Sequence, residues 1–337
     1  MKKIHQLLLT GIALCLAAGT PARANLIITA NYAGNIVSDP NASVIESAIN
    51  TAISAYQSII TTNIDVFINF QEGGGLGASS TYLDTISYKS YYDALKANAT
   101  SSNDAVALAQ LSKVNGNADT NGGINPITGS TTINVKTANE RALGLGSILG
   151  GSAGSPDGTI TLNTSLTTPG SSVTTGQFSL VSVAEHEIDE VLGLGSALPR
   201  PPAPLTSGTV TMLNNAPFPE DLFRYTSVGV LATGSVNCAS PGTAFFSLNG
   251  STSLDAFNNA CNTGDFADWA GGATPQVQDW QATINAAPVL GVELTALDAI
   301  GYTLSATGAP EPASWVLMFG GVLAGVSYKA SRRGKKA

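Results

Sequence analysis

His186, Glu187 and Glu190 are the residues of this 337-residue chain whose types and spacing can do chemistry together. They fall in the run Glu185-His186-Glu187-Ile188-Asp189-Glu190-Val191-Leu192-Gly193-Leu194-Gly195-Ser196. One helical turn separates His186 from Glu190, so on a helix the two stack on one face and can reach a single metal ion. Glu187, beside the first ligand, is then placed to hydrogen-bond a water at that ion and take its proton. The residues alone leave a second reading open, since a carboxylate-rich exposed helix also produces a histidine that is merely salt-bridged to its acidic neighbours. No other histidine competes, because His5 lies in an N-terminal segment expected to be removed.

The surrounding pattern predicts the helix that carries this run. Over 178–192, Leu180, Val183, Ala184, Ile188, Val191 and Leu192 form an apolar side, and Gly193 stands at the C′ position. Upstream, Leu26, Ile27 and Ile28 open a strand over 25–31. Asp39 and Pro40 read as the N-cap and first position of a helix with the stripe Ile45, Ile49, Ile53, Tyr56 and Ile60. Ile64, Val66, Ile68 and Phe70 then alternate with Asp65, Phe67 and Asn69 in a strand that stops at Gly73-Gly74-Gly75. The opening is therefore β-α-β. Helices are expected at 91–97 and 104–111, a loop at 115–129, and strands at 131–135 and 159–163. Beyond the central helix come short strands at 221–225 and 244–248 and a last helix at 293–302. The order predicts an α+β fold with an early sheet, a central active-site helix and an irregular Gly/Pro-rich C-terminal lobe.

Both ends read as addresses. Lys2 and Lys3, an apolar run over 7–18 and Ala22-Arg23-Ala24 make up a signal peptide spanning 1–24. At the other end Pro310-Glu311-Pro312 precedes a 16-residue apolar stretch and a tail containing Lys329, Arg332, Arg333, Lys335 and Lys336. That stretch is shorter than the ~20 residues of an ordinary membrane span, and the basic tail would stay cytoplasmic. The body between them is expected over 25–307, with 308–337 as the terminal signal. Eight of the 15 basic residues and none of the 23 acidic ones lie in 1–24 or after Pro312, which leaves residues 25–312 with a net charge of −16. Such a surface repels phosphate backbones and anionic headgroups and excludes a nucleic-acid partner. With Cys15 in the signal peptide, Cys238 and Cys261 remain as an even pair in an oxidising compartment and predict one disulfide. The Gly-Leu-Gly-Ser-Ala run at Gly193 is not a GxSxG elbow, Gly144-Leu145-Gly146 lacks the third spaced glycine, and Gly73 to Gly77 has no following Lys-Ser/Thr of a phosphate-binding loop.

The C-terminal order of motif, apolar stretch and basic cluster resembles the PEP-CTERM sorting signal of Gram-negative bacteria. That resemblance implies processing by signal peptidase and exosortase, transient inner-membrane association through 308–337, and delivery to the periplasm, cell surface or extracellular matrix. From His186 to Gly193 the run resembles the metzincin motif HExxHxxGxxH, with Glu190 in the place of the second histidine. More widely, HEIDEVLG (186–193), PEDLFRY (219–225), AFFSLNG (244–250), GDFADW (264–269) and ELTALDAIGY (293–302) resemble a family of PEP-CTERM-sorted bacterial zinc metalloproteases. The resemblance implies a metzincin-like zinc-protease fold with a twisted sheet, His186 and Glu190 as zinc ligands, and Glu187 as general base. The substrate would be a protein or peptide, hydrolysed through a metal-activated water.

Position eleven of that motif is Ser196, a poor neutral ligand, so a third ligand must come from elsewhere. Asp221 is the first choice, on a segment that can fold back to the helix end; it can equally be a turn residue paired with Arg224. Asp265 and Asp268 are further candidates, as ligands, as an additional oxygen-only calcium site, or as turn caps. The alternative expectation is a catalytically degenerate protein of this fold that serves as a surface or exopolysaccharide-matrix binding or structural protein. Two carboxylates around the ion would weaken its Lewis acidity.

Overall fold

The computed structural model describes residues 25–305 apart from 116, 117, 119, 147–149, 171 and 263. The signal peptide expected over 1–24 and the sorting signal expected over 308–337 lie outside these residues.

The alternating segments build a four-stranded sheet. β1 (Ile27–Tyr32) is joined through the short helix α1 (Gly34–Val37) and the long helix α2 (Ala42–Ile59) to β2 (Asp65–Glu72). β1 and β2 are parallel, with Ile28 beside Val66 and Ala30 beside Ile68, which requires such a crossover. α2 buries the expected stripe of Ile45, Ile49, Ile53 and Tyr56. It starts after the expected place because the Asp39 carboxylate accepts from the Asn41 N–H at 2.6 Å and closes a turn ahead of it.

β3 (Gly77–Thr81) and β4 (Leu83–Ser87) follow, then α3 (Tyr88–Asn98), α4 (Ser102–Asn115), β5 (Thr132–Lys136), α5 (Thr137–Ala142) and β6 (Gly158–Leu162). The sheet order is β1-β2-β6-β3; β6 runs parallel to β2, and β3 is an antiparallel edge on β6. Asp157, just before β6, knits this layer to α5. Its carboxylate accepts from the Phe67 N–H at 3.0 Å, the Thr137 hydroxyl at 2.7 Å and the Arg141 guanidinium at 2.7 Å.

Phe178 and Ser179 do not belong to the central helix. They form β8 (Phe178–Ser179), paired in parallel with β7 (Thr167–Thr168), after which Ser179 caps α6 (Leu180–Leu192) by accepting the Ser182 N–H at 3.2 Å. α6 packs its apolar side on β6 and β3 and lies beside α2, whose Tyr56 hydroxyl donates to the Glu185 carbonyl at 2.8 Å. At its end Gly193 takes φ +148°, and a Cβ there would stand 2.8 Å from Ile300 Cδ1. Lys136 Nζ donates to the carbonyls of Glu190 at 2.7 Å and Leu194 at 2.6 Å, a buried ammonium at the negative end of the helix.

The C-terminal lobe is irregular, as its composition predicts. It holds β9 (Thr209–Thr211), β10 (Arg224–Ser227), β11 (Val230–Leu231), β12 (Ser235–Asn237), β13 (Phe245–Phe246) and β14 (Asp255–Ala256). β9 pairs with β12, and β11-β10-β13-β14 form a second sheet. Of the strand expected over 221–225, Arg224 and Tyr225 are in β10, but Asp221–Phe223 belong to a 3-10 turn over Pro219–Phe223, because proline fits the first turn of a helix. Cys238 and Cys261 form a disulfide inside a small core with Val210, Met212, Val236 and Phe266. α7 (Val292–Ala299) closes the body. Among the described residues no helix is long and apolar enough to cross a membrane. The class is α+β.

One titration is built into this frame away from the central helix. Glu140 on α5 is 1% exposed. Burial, and then the hydrogen bond and charge of Asp84 on β4, push its carboxyl from 4.5 up to about 8. The folded chain therefore keeps a proton that the unfolded chain releases, and stability falls as pH rises from about 4.5 to about 8. Glu140→Gln removes this titration. Its melting temperature is expected to exceed that of the wild type by a few degrees at pH 8, with the gain vanishing toward pH 4.5. A difference that does not change with pH would remove Glu140 as the source of the slope.

Candidate metal centre

α6 turns His186 and Glu190 toward a cleft, and the loop 264–269 brings Asp268 to them from the C-terminal lobe. One ligand atom from each of these three residues lies within 4.8 Å of the other two. His186 Nε2 stands 3.8 Å from Asp268 Oδ1. With metal–ligand bonds of about 2.0–2.2 Å, two ligands of a tetrahedral ion stand roughly 3.3–3.6 Å apart. His186 and Asp268 are thus already near the separation that a shared ion requires.

Each ligand is held from behind. His186 Nδ1 lies 3.0 Å from the Val277 carbonyl, so the ring proton is donated there and Nε2 is left to face a metal. Glu190 Oε2 accepts from the Ser79 hydroxyl on β3. Asp268, 4% exposed, accepts at Oδ1 from Gln278 Nε2 at 3.2 Å. Glu187, 5% exposed, is also fitted closely: a Cβ on Gly77 would lie 2.4 Å from its Oε1 and 2.7 Å from Val183 Cγ1. Only glycine at the start of β3 lets that strand pass so near the glutamate.

The charges respond to this crowding. Burial opposes a charge on His186, but Asp268, Glu187, Glu190 and the Val277 carbonyl outweigh it and raise the imidazole to about 10. Asp268 rises to about 8, first through burial, with Glu190 and Asp265 adding and His186 opposing. Glu187 is pushed well above the usual carboxylate range by burial and then by Glu190. These shifts share one origin: carboxylates gathered around a single imidazole with little water, an arrangement that favours a cation. The group of His186, Glu190 and Asp268 can hold a metal ion.

Asp221 does not belong to this group. It is 3% exposed, and its carboxylate accepts from the Ser196 hydroxyl at 2.6 Å, the Ala197 N–H at 3.0 Å and the Phe218 N–H at 2.9 Å. It ties the turn after α6 to the 3-10 turn at Pro219–Phe223. The place expected for Asp221 is taken by Asp268, and the motif's eleventh residue, Ser196, is spent on Asp221. Arg224, the other expected partner of Asp221, donates to the Phe266 carbonyl and the Asn259 side chain and lies 4.6 Å over the Phe257 ring. Burial lowers its pKa to about 10. Because Phe266 sits two residues before Asp268, Arg224 and the nearby Cys238–Cys261 disulfide fix the loop that delivers the third ligand.

Asp265 lines the cleft without joining the three ligands, and among the described residues no oxygen-only carboxylate group of the calcium-binding kind accompanies them. Ser79, Val277 and Gln278, which orient the ligands, carry no signal in the sequence: a strand serine, a carbonyl and an amide are commonplace. No protein-family model, curated protein or solved structure matches the chain.

Proposed function

We propose that the protein is an exported zinc-dependent peptidase with a metzincin-like fold, in which His186, Glu190 and Asp268 hold the ion and Glu187 is the general base. The reading is carried by the convergence of ligands from two distant parts of the chain beside a buried glutamate, in a cleft of about 310 Å³. The donor set, one imidazole nitrogen and two carboxylate oxygens, fits zinc. Zinc bound there supplies a Lewis acid that polarises a peptide carbonyl.

The remaining work falls to the chain itself. Glu187 accepts a proton from the attacking water and returns it to the leaving amine. Ser79 and the Val277 carbonyl keep Glu190 and His186 aimed at one point. Among the described residues β3 is paired on one side only, with β6, and Leu76, Gly77, Ala78 and Ser79 line the cleft. An extended peptide can therefore add to that edge through backbone hydrogen bonds. The disulfide, the acidic body and the PEP-CTERM-like end support export to the periplasm, cell surface or matrix, with signal peptidase and exosortase as processing partners.

The two carboxylate ligands favour a second reading, a matrix-binding protein of the same fold that binds metal without turnover, because they lower the effective charge of the ion. One assay separates the two. The mature protein loaded with zinc is expected to cleave denatured casein, to lose about a hundredfold or more of that activity on chelation, and to regain it when zinc is restored. Stoichiometric zinc without cleavage would leave the second reading standing.

A further inference from the structure

The segment from Gln276 to Trp280 does more than orient the imidazole. Two residues beyond Val277, whose carbonyl faces His186, Asp279 lines the same cleft at 5% exposure. One of its oxygens, Oδ2, accepts the Gln276 N–H at 2.9 Å, while the other, Oδ1, is buried and has no hydrogen-bond partner. The donors around it are committed elsewhere. Gln276 Nε2 goes to Asp255, Gln278 Nε2 goes to Asp268 at 3.2 Å, and Trp280 Nε1 goes to the Ala270 carbonyl at 3.2 Å. A buried carboxylate oxygen left in this condition costs free energy unless a donor reaches it from outside the fold.

The cleft also has an excess of acid that the metal does not use. Glu187, Glu190, Asp265, Asp268 and Asp279 line it against a single arginine, the exposed Arg200. An ion held by His186, Glu190 and Asp268 answers those two carboxylates, and Arg200 and Lys136 face Asp265, whereas the cation that faces Asp279 is His186, which belongs to the metal centre itself. Trp280, beside Asp279 in the lining, offers a flat apolar face along which an aliphatic stem can lie.

We infer that the cleft contains a subsite for a basic side chain, lysine or arginine, of the peptide substrate, with Asp279 Oδ1 receiving the cationic head and Trp280 bordering its stem. Because Asp279 and Val277 share one short segment, the subsite lies next to the metal centre, and the basic residue falls within about two positions of the cleaved bond. With Oδ2 already engaged, Asp279 offers one oxygen, which an ammonium satisfies as well as a guanidinium; the subsite therefore accepts both. This inference rests on the peptidase reading for the word substrate, and on Asp279 alone for the preference.

The test compares zinc-loaded wild type with Asp279→Asn on a synthetic peptide library, with cleavage sites identified by mass spectrometry. Asparagine can still accept the Gln276 N–H, and unchanged melting temperature and zinc content confirm that the fold survives. Lysine and arginine are expected to be enriched about tenfold near the cleaved bond in the wild type, and that enrichment is expected to collapse in the variant. Cleavage with an apolar preference, or an enrichment indifferent to Asp279→Asn, overturns the subsite and leaves the peptidase intact. An NMR titration with acetyl-arginine amide against acetyl-norleucine amide covers the case of no cleavage. Arginine-selective binding lost in Asp279→Asn upholds the subsite while the peptidase fails, and absence of selective binding overturns both.

Discussion

Asp268→Ala will cost the protein its metal, whereas Asp221→Ala will leave the metal bound and weaken the fold instead. Asp268 is one of the three described residues placed to hold an ion, buried, and oriented by Gln278. Removing it leaves His186 and Glu190 on one helix face and opens the opposite side of the ion to water. Loss of an outer-shell partner already costs about 10–100-fold in affinity, so loss of a ligand is expected to exceed on the order of a hundredfold. Asp221→Ala acts on different atoms. It strands the Ser196 hydroxyl and the N–H groups of Ala197 and Phe218, the Ala197 bond being buried and the others partly so, at a cost of about 1–3 kcal/mol. Elemental analysis with a competing chelator reads the first effect and urea unfolding reads the second. Undiminished affinity in Asp268→Ala would remove that residue from coordination, and loss of metal in a folded Asp221→Ala would return the role to Asp221.

The contrast between these two aspartates shows where the sequence stops being readable. The stripe of α2, the alternation of β2 and the His186–Glu190 pair are local features, and each is set by the period of its own element. The third ligand is not local. Asp221 lies closer along the chain and on a segment that does return to the helix end, yet its hydrogen bonds are consumed by the turn that makes the return possible. Asp268 reaches the centre through a loop whose position depends on Arg224, on the disulfide and on the burial of Phe266 and Trp269, none of which has a spacing signature. β3 is hidden for a related reason. Its run Gly-Ala-Ser-Ser-Thr shows no hydrophobic alternation, because one of its sides borders the cleft. The glycines around it read as a break in the chain, whereas Gly77 is the residue that allows the strand to approach Glu187.

That approach leads to the second large effect, a loss of turnover without a loss of metal. Glu187→Gln keeps the shape of the side chain and the donor set of the centre but cannot take a proton, and kcat is expected to fall by about 10²–10⁴-fold with zinc content unchanged. Gly77→Ala is expected to approach the same result by geometry alone. The position does not need a left-handed backbone, so alanine is tolerated there, but the new methyl meets Glu187 Oε1 at 2.4 Å and Val183 Cγ1 at 2.7 Å. The glutamate end is the softer of the two obstacles, since Val183 is packed in the core. The carboxylate therefore moves, and a displacement of about 1 Å costs roughly a hundredfold in rate. If both substitutions act through one carboxylate, the double variant should be no slower than Glu187→Gln itself, because the position of a group that cannot accept a proton no longer matters. Steady-state kinetics on one peptide, with zinc measured in each preparation, decide the matter. Multiplying losses would mean that β3 serves catalysis by a route other than Glu187, and an unimpaired Gly77→Ala would mean that the close packing of strand on glutamate is incidental to the reaction.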